Sequence, residues 1–405
     1  MAVQRSSKPG ARRPKKRSTS RPTGKRAAKT SPSVSDRRLA AAVALAKHGK
    51  AVTALNRAKA ILDADPGHWP TLSFVANILW RMDQHESALH TLAATIDHAP
   101  DDAETQTDLA VKYIKAAVHT KKDLSRAIAY GEKTLDHHGP SPPLLNALVN
   151  AQAHAGRWSD SLKSANLGIA RFPDHRGFNH DKSVILMRLG RPEEAIEAFA
   201  HTIRPSQKNA RNQSDVRTQY TALAGGYDDN ALHRSFSERM AKFVLGLLGS
   251  TLNMHILDAG CGTGLLATCL KAARLVGIDR SPEMLAQARA RGAYAELVEG
   301  DLVRAMAKRT DRFDLAISAC VLYHLADLAP FFQEAARLVN PGGHLFLSVD
   351  PAPDHLDFGE TNPGEYAHSR RYLRELAAET GFAEAAIKIM DHRSTPGFWC
   401  AFRRT

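Results

Sequence analysis

From Ser35 to Ile203 the apolar residues recur at helical spacing with almost no strand-like alternation, and after residue 250 they gather into short continuous runs ending in acids or glycines. The first pattern predicts amphipathic helices packed on one another, the second buried parallel strands covered by helices. Within the helical stretch a small residue returns at Ala54, Ala88, Ala127, Ser161 and Ala195, at spacings of 34, 39, 34 and 34, and an aliphatic residue follows each one: Leu55, Leu89, Ile128, Leu162 and Ile196. Pro66 and Pro100 stand 34 apart, as do the turns Gly156-Arg157 and Gly190-Arg191. A small side chain is needed wherever two helices cross closely. One helix pair cannot bury its apolar face alone, so about four to five pairs must stack into a curved array. Residues 204–213 are polar, break the pattern and read as a linker, and Ser214–Leu248 is expected to be helical.

The run Ile256–Leu266, ILDAGCGTGLL, predicts a buried strand ending at Asp258, a turn at Gly260, Gly262 and Gly264, and the start of a helix. That geometry lays backbone against a nucleotide-like ligand. Leu265 stands where a dinucleotide fingerprint needs a small residue, which disfavours an NAD site, and no Gly-Lys-Ser/Thr follows, which excludes a triphosphate loop. Leu275–Asp279 reads as a second strand whose acid, 21 residues after Asp258, can take two ribose hydroxyls. Ser281 as N-cap, Pro282 at the first position and Glu283 in the first turn begin a helix that Gly292 closes. Glu296–Asp301, Phe313–Ala319 and His344–Val349 are three more strands, and Ala385–His392 with Gly397–Arg404 read as a terminal antiparallel hairpin.

D-x-G-x-G-x-G at Asp258–Gly264, with the acids and strands that follow it in order, resembles motif I of the class I S-adenosylmethionine-dependent methyltransferases. The resemblance implies an α/β fold: an all-α helical-repeat array followed by a Rossmann-like, seven-stranded methyltransferase domain. It implies S-adenosyl-L-methionine as cofactor, held by Asp258, Gly260, Cys261, Gly262, Thr263 and Gly264, by Asp279 on the ribose, by Arg280 and Met284 beside the adenine, by Asp301 and Leu302 at its amino group, and by Ala319 beneath the sulfonium. The segment Val216–Asp229 resembles the tyrosine-containing stretch that closes over the cofactor in small-molecule methyltransferases, which makes Tyr220 and Tyr227 candidates for that closure or for plain packing. The repeats resemble tetratricopeptide units, and the whole arrangement is similar to predicted bacterial methyltransferases that carry such repeats.

The acceptor is less legible. The pair Tyr323-His324 after the fourth strand and the polar insertion Asp350–Tyr372 are the two regions expected to shape its pocket, and His368 or His324 could serve as general base. No [DNS]-P-P-[YF] stretch is found, which demotes nucleic-acid bases and glutamine side chains and leaves a small-molecule acceptor, at oxygen, in front. Protein methylation with the repeats recruiting the substrate, and a binding module without catalysis, stand as alternatives.

Of the formal charge of +13, +12 resides in the first 38 residues, where 13 Lys and Arg face the single acid Asp36. Residues 1–34 are therefore expected to be a disordered basic tail, either a solvated arm or a weak tether to polyanions, with no sequence-specific nucleic acid as partner. Domain limits are expected at 35–203 for the repeats and 214–405 for the methyltransferase domain. The absence of an apolar run of 18 predicts no membrane partner. Four cysteines without a C-x-x-C pair fit a cytoplasmic setting with no metal site.

Overall fold

The computed structural model describes residues 33–205 and 213–405. The basic tail, up to residue 32, and most of the expected linker lie outside the described residues. The repeat array comprises five antiparallel helix pairs: Val34–Lys47 with Ala51–Ala64, Trp69–Arg81 with His85–Ile96, Ala103–Thr120 with Leu124–His138, Pro142–His154 with Trp158–Arg171, and Gly177–Arg188 with Pro192–Ala200. Ala54, Ala88, Ala127, Ser161 and Ala195 are each the fourth residue of a pair's second helix, and all are wholly buried. The Ser161 hydroxyl occupies an alanine's place because it donates to the Val149 carbonyl at 2.8 Å, so no polar group is stranded. The one irregular step has a local cause: Ala103–Thr120 is 18 residues long where its predecessor Trp69–Arg81 has 13. Gly156 and Gly190 turn between helices with φ of 71° and 69°, and Asp83 makes the same left-handed turn at 58°.

Among the described residues ten strands form the sheet: β1 (Arg204–Pro205), β2 (His255–Ala259), β3 (Arg274–Asp279), β4 (Glu296–Glu299), β5 (Phe313–Ser318), β6 (Val339–Ala352), β7 (Phe358–Asn362), β8 (Glu365–Ser369), β9 (Phe382–His392) and β10 (Thr395–Arg404). Seven of them follow the order β4-β3-β2-β5-β6-β10-β9, parallel except at β10, which runs antiparallel to both β6 and β9 and closes the expected terminal hairpin. Strand order reverses at β2, whose neighbours are β3 and β5, and a crevice opens there at the carboxyl ends. Leu257, Val276, Ala316 and Leu347 pack one sheet face against Phe331 and Phe332. Ile256, Leu275, Leu315, Phe346 and Trp399 pack the other against Phe236 and Phe243.

Three features differ from expectation. The glycine turn leads into only a three-residue 3-10 turn, Leu266–Thr268, in place of a helix. The Thr268 hydroxyl donates to the Leu265 carbonyl at 2.7 Å, and the sheet face a helix would cover is taken by Ala231–Leu248, whose Phe236, Met240 and Val244 cluster with Leu266 and Leu270. The expected linker begins as a strand, because β1 pairs antiparallel with β7. The insertion Asp350–Tyr372, expected only as a polar segment, folds largely as a ladder: β6 leaves β10 at Val349 and from Asp350 onward pairs with β8, which leads through β7 to β1. Apolar residues drive this, since Ala352 and Ala367 close on Phe199 and Ile203 at the end of the repeats. A side chain on Gly359 would stand 2.3 Å from Ile203 Cγ2, so only glycine allows that approach. Ion pairs Arg188–Asp391 at 3.4 Å and Arg370–Glu193 at 3.0 Å flank the junction of repeats and sheet.

Candidate active site

The crevice is built first from backbone. Gly260 has φ of 91°, and a Cβ there would meet Val321 Cγ2 at 2.3 Å, so the turn is both left-handed and too close to the next loop for any side chain. The amides of Gly260 and Cys261 donate to the Ile278 carbonyl at 2.8 and 2.9 Å, tying the turn to β3. The amide of Gly262 donates to Asp279 Oδ2 at 2.8 Å, and that of Ser281 donates to Oδ1 at 2.9 Å. Asp279 thus fixes the glycine turn and the start of the following helix at once. Burial raises its pKa, and the three backbone donors of Ser281, Gly262 and Arg280 oppose the rise.

Asp258, 2% exposed, accepts a hydrogen bond from the Tyr294 hydroxyl at 2.7 Å. Burial pushes its carboxyl up to about 7, against the Tyr294 hydrogen bond, and the nearby charge of Asp279 adds to the rise. Asp301 caps the helix Leu302–Ala307 by accepting from the Arg304 amide at 3.3 Å, and it meets Arg280 Nη2 at 3.5 Å. The Ser281 hydroxyl accepts from the Met284 amide at 3.2 Å, the expected cap.

One cavity brings together Asp258, Gly260, Cys261, Gly262, Thr263, Asp279, Arg280, Met284, Asp301, Leu302 and Ala319. Gly264 is the member of the expected set that does not line it; with φ of 80° it packs instead against the Tyr294 ring, 2.9 Å from where a Cβ would be. Tyr220 and Tyr227 both line the cavity. The Tyr220 hydroxyl lies 2.6 Å from that of Tyr323 and 3.2 Å from His324 Nε2, while the Tyr227 ring stacks on His233 at 3.9 Å. Asp228 latches this closing segment to the glycine turn: it accepts from the Thr263 hydroxyl at 2.6 Å and pairs with Arg291, whose Nε donates to the Thr263 carbonyl.

The two histidines part company. His324 lines the cavity beside Tyr220. His368 does not: it is wholly buried in β8, its Nε2 donates to the carbonyls of Leu325 and Ala326 at 2.9 and 3.1 Å, and burial drives its pKa down to about 4. With one nitrogen committed to that loop and the ring sealed from the cavity, His368 orders the Leu325–Ala326 turn and is withdrawn as a general base. The insertion that carries it bounds a separate polar cavity against the repeats, lined by Arg176, Arg204, Asp350, Asn362 and Arg393 among others.

Sequence reasoning missed Phe236, Ser237 and His233 in the lining, and it missed Asp228 as a latch. Asn230 as a cap and the apolar spacing of Phe236, Met240 and Phe243 announced the helix that brings them; the sequence held no sign of which end faces the crevice.

The crevice at the switch point, its glycine cradle and its three strand-end acids define a nucleotide-binding α/β site of the methyltransferase type. A methyltransferase-domain family model matches residues 257–347, and a tetratricopeptide-repeat model matches residues 31–111. The chain is 30% identical over 204 residues to a malonyl-[acyl-carrier protein] O-methyltransferase of Dechloromonas aromatica, covering 46% of this chain and 72% of that protein. It is 30% identical over 173 residues to a trans-aconitate 2-methyltransferase of Acidovorax ebreus, covering 41% of this chain and 62% of the relative. A malonyl-[acyl-carrier protein] O-methyltransferase of Serratia marcescens matches at 30% over 158 residues, 38% of this chain and 60% of the relative. The chain therefore spans about three fifths of the length of the first relatives it matches. Among solved structures, a 1,6-didemethyltoxoflavin-N1-methyltransferase of Burkholderia thailandensis aligns with 18% identity and a TM-score of 0.41, over 50% of this chain and 95% of that one. The chain belongs to the S-adenosylmethionine-dependent methyltransferases, joined to tetratricopeptide repeats. Its crevice fits that cofactor, because Gly260 leaves open the space a Cβ would close and a buried acid stands at the end of β3. Among the described residues no helix is long and apolar enough to cross a membrane.

Proposed function

We propose that the protein transfers a methyl group from S-adenosylmethionine to a small-molecule acceptor, at oxygen. The observation that carries this reading is the convergence of the glycine turn with Asp258, Asp279 and Asp301 on one cavity whose far wall is Tyr220, Tyr227 and His324. When bound, S-adenosylmethionine supplies an electrophilic methyl group on a positively charged sulfur. Asp279 would take the ribose hydroxyls, Arg280, Met284, Asp301 and Leu302 would border the adenine, and the backbone from Gly260 to Thr263, with Ala319, would hold the remainder. Tyr220, Tyr227 and Phe236 wall the cavity and exclude water, so the chain's main contribution is alignment, which can supply roughly 7 kcal/mol or more. His324 Nε2 takes the proton of an acceptor hydroxyl, with the Tyr220 hydroxyl as its resting partner.

A second reading, methylation of a protein brought in by the repeats, draws on the β1–β7 ladder and the Phe199–Ile203 cluster, which hold the array against the sheet that carries the cavity. We take residues 35–203 as the partner-binding unit and 214–405 as the transferase. The four free thiols support our reading of a reducing, cytoplasmic setting. The full chain, incubated with tritiated S-adenosylmethionine and a fractionated cell extract, separates the readings. Label in the small-molecule fraction supports the first, and alkaline release distinguishes an ester from an ether. Label confined to protein overturns it.

A further inference from the structure

Away from the cofactor cavity, the third helix pair of the repeats gathers two imidazoles and a carboxylate. His137 and His138 close the helix Leu124–His138, which ends at Gly139 with φ of 86°. Asp101 stands on the connection between the helices His85–Ile96 and Ala103–Thr120. His138 Nε2 lies 3.0 Å from Asp101 Oδ1 and His137 Nε2 lies 3.6 Å from Asp101 Oδ2, so each carboxylate oxygen faces one ring. One ligand atom from each of the three residues lies within 4.8 Å of the other two. The connection is held from both sides. The Tyr130 hydroxyl, about two turns earlier on the helix that bears the histidines, donates to Gln106 Oε1 at 2.5 Å, and Gln106 Nε2 donates to the Pro100 carbonyl at 3.1 Å. On the other side Asp102 caps the next helix by accepting from the Thr105 amide at 2.9 Å. Asp101 is thus presented to the histidines by fixed backbone, and its own side chain is not needed for the cap.

We propose that Asp101, His137 and His138 bind one divalent transition-metal ion of the zinc class, and that the ion staples the connection between the second and third repeats to the end of the third. A zinc ion about 2.0 to 2.1 Å from each nitrogen or oxygen ligand, in tetrahedral geometry, sets its ligand atoms about 3.4 Å apart. The 3.0 and 3.6 Å separations bracket that value. The two rings then need only draw together: the His137 side chain, 66% exposed, has room to swing, while that of His138, 12% exposed, is held. Each imidazole offers Nε2 with its proton on Nδ1. Imidazoles with a carboxylate suit zinc and its neighbours in the series, whereas magnesium and calcium take oxygen ligands. The last carbonyls of the 15-residue helix carry partial negative charge, which favours a cation at that end. The start of Ala103–Thr120 would repel a cation, but Asp102 as cap and Glu104 in the first turn set two negative charges there. Three protein ligands leave a fourth position to water. The site uses no thiol, so the cysteine pattern carries no information about it.

The test is a calorimetric titration of the chelator-stripped full chain with zinc chloride, followed by amide hydrogen exchange with and without zinc. One tight site per chain is expected. His137→Ala and Asp101→Asn, both at exposed side chains and outside the helix cap, should each weaken it at least about tenfold. His90→Ala, at an exposed histidine of the second repeat, should leave it unchanged. No saturable binding overturns the proposal, and so does an unchanged affinity in folded His137→Ala, or a loss in His90→Ala as large as in the other two. In the exchange experiment zinc should slow the amides between residues 97 and 102 and those of the last turn before Gly139. Zinc that binds through these three residues without slowing those amides overturns the staple. None of these outcomes depends on the cofactor cavity.

Discussion

Two carboxylates at the carboxyl ends of neighbouring sheet regions are equally buried and titrate in opposite directions. Asp258, at the end of β2, has a phenol as partner and the like charge of Asp279 nearby, so burial carries it up to about 7. Asp350, late in β6, suffers the same burial, but the charge and hydrogen bond of His392 and the charge of Arg393 overcome it and hold the carboxyl below its usual range. Burial sets the size of the penalty, and the partner decides its sign. The half of the sheet prepared for a ligand leaves its acid uncompensated. The half that braces the loop and the repeats closes its charges on one another.

The sharpest way to break this contrast is to remove one partner of the closed group. His392→Ala should cost about 3 to 5 kcal/mol in denaturant unfolding, because Asp350 is left charged and buried. His392 is raised in the fold, so its contribution is fully present below its ordinary 6.5 and is lost as pH climbs towards 10, and the deficit of the variant should shrink over that interval. A pH-independent deficit would mean that His392 is neutral.

Next in size is the open acid. A carboxyl raised from 3.8 to about 7 corresponds to roughly 4 kcal/mol at full effect. The folded state holds this proton more tightly, so stability drains away as pH rises from about 4 to 7. Asp258→Asn should therefore be more stable than the unaltered chain at pH 8, by up to that amount, and little different at pH 4. A variant less stable at pH 8 would show that Asp258 is compensated after all. Smaller still, Arg188→Ala removes an exposed ion pair to Asp391, which keeps Arg239 at 3.3 Å, and should change stability by less than about 1 kcal/mol in the same assay.

The ligand half was readable because its demands fall on consecutive residues: glycines where backbone turns or crowds, an acid at each strand end, a serine and a proline at a helix start. The repeat was readable for a related reason, since the same crossing recurs and only a small residue fits it; Ser161 was found by position and explained by its hydrogen bond to Val149. What escaped was set by contacts distant in sequence. Nothing near Asp350 announces His392, 42 residues on, and nothing in Gly359 announces Ile203. His368 was chosen as a base because its type and its polar surroundings suited that task. The packing of β8 against β6 and β7, which buries it, could not be read from the insertion's polar composition. The absent helix after Gly264 follows the same logic, for its site on the sheet is taken by a segment that precedes it in the chain.

The account stands most directly on Asp279, which holds the glycine turn and faces the cavity. Calorimetric titration of the full chain with S-adenosylhomocysteine should give saturable binding, and Asp279→Ala should weaken it by about 1 to 3 kcal/mol, roughly 5- to 150-fold, through the lost hydrogen bonds to a charged group. Folded protein that gives no saturable heat, or an Asp279→Ala variant that binds as tightly as the unaltered chain, would contradict it.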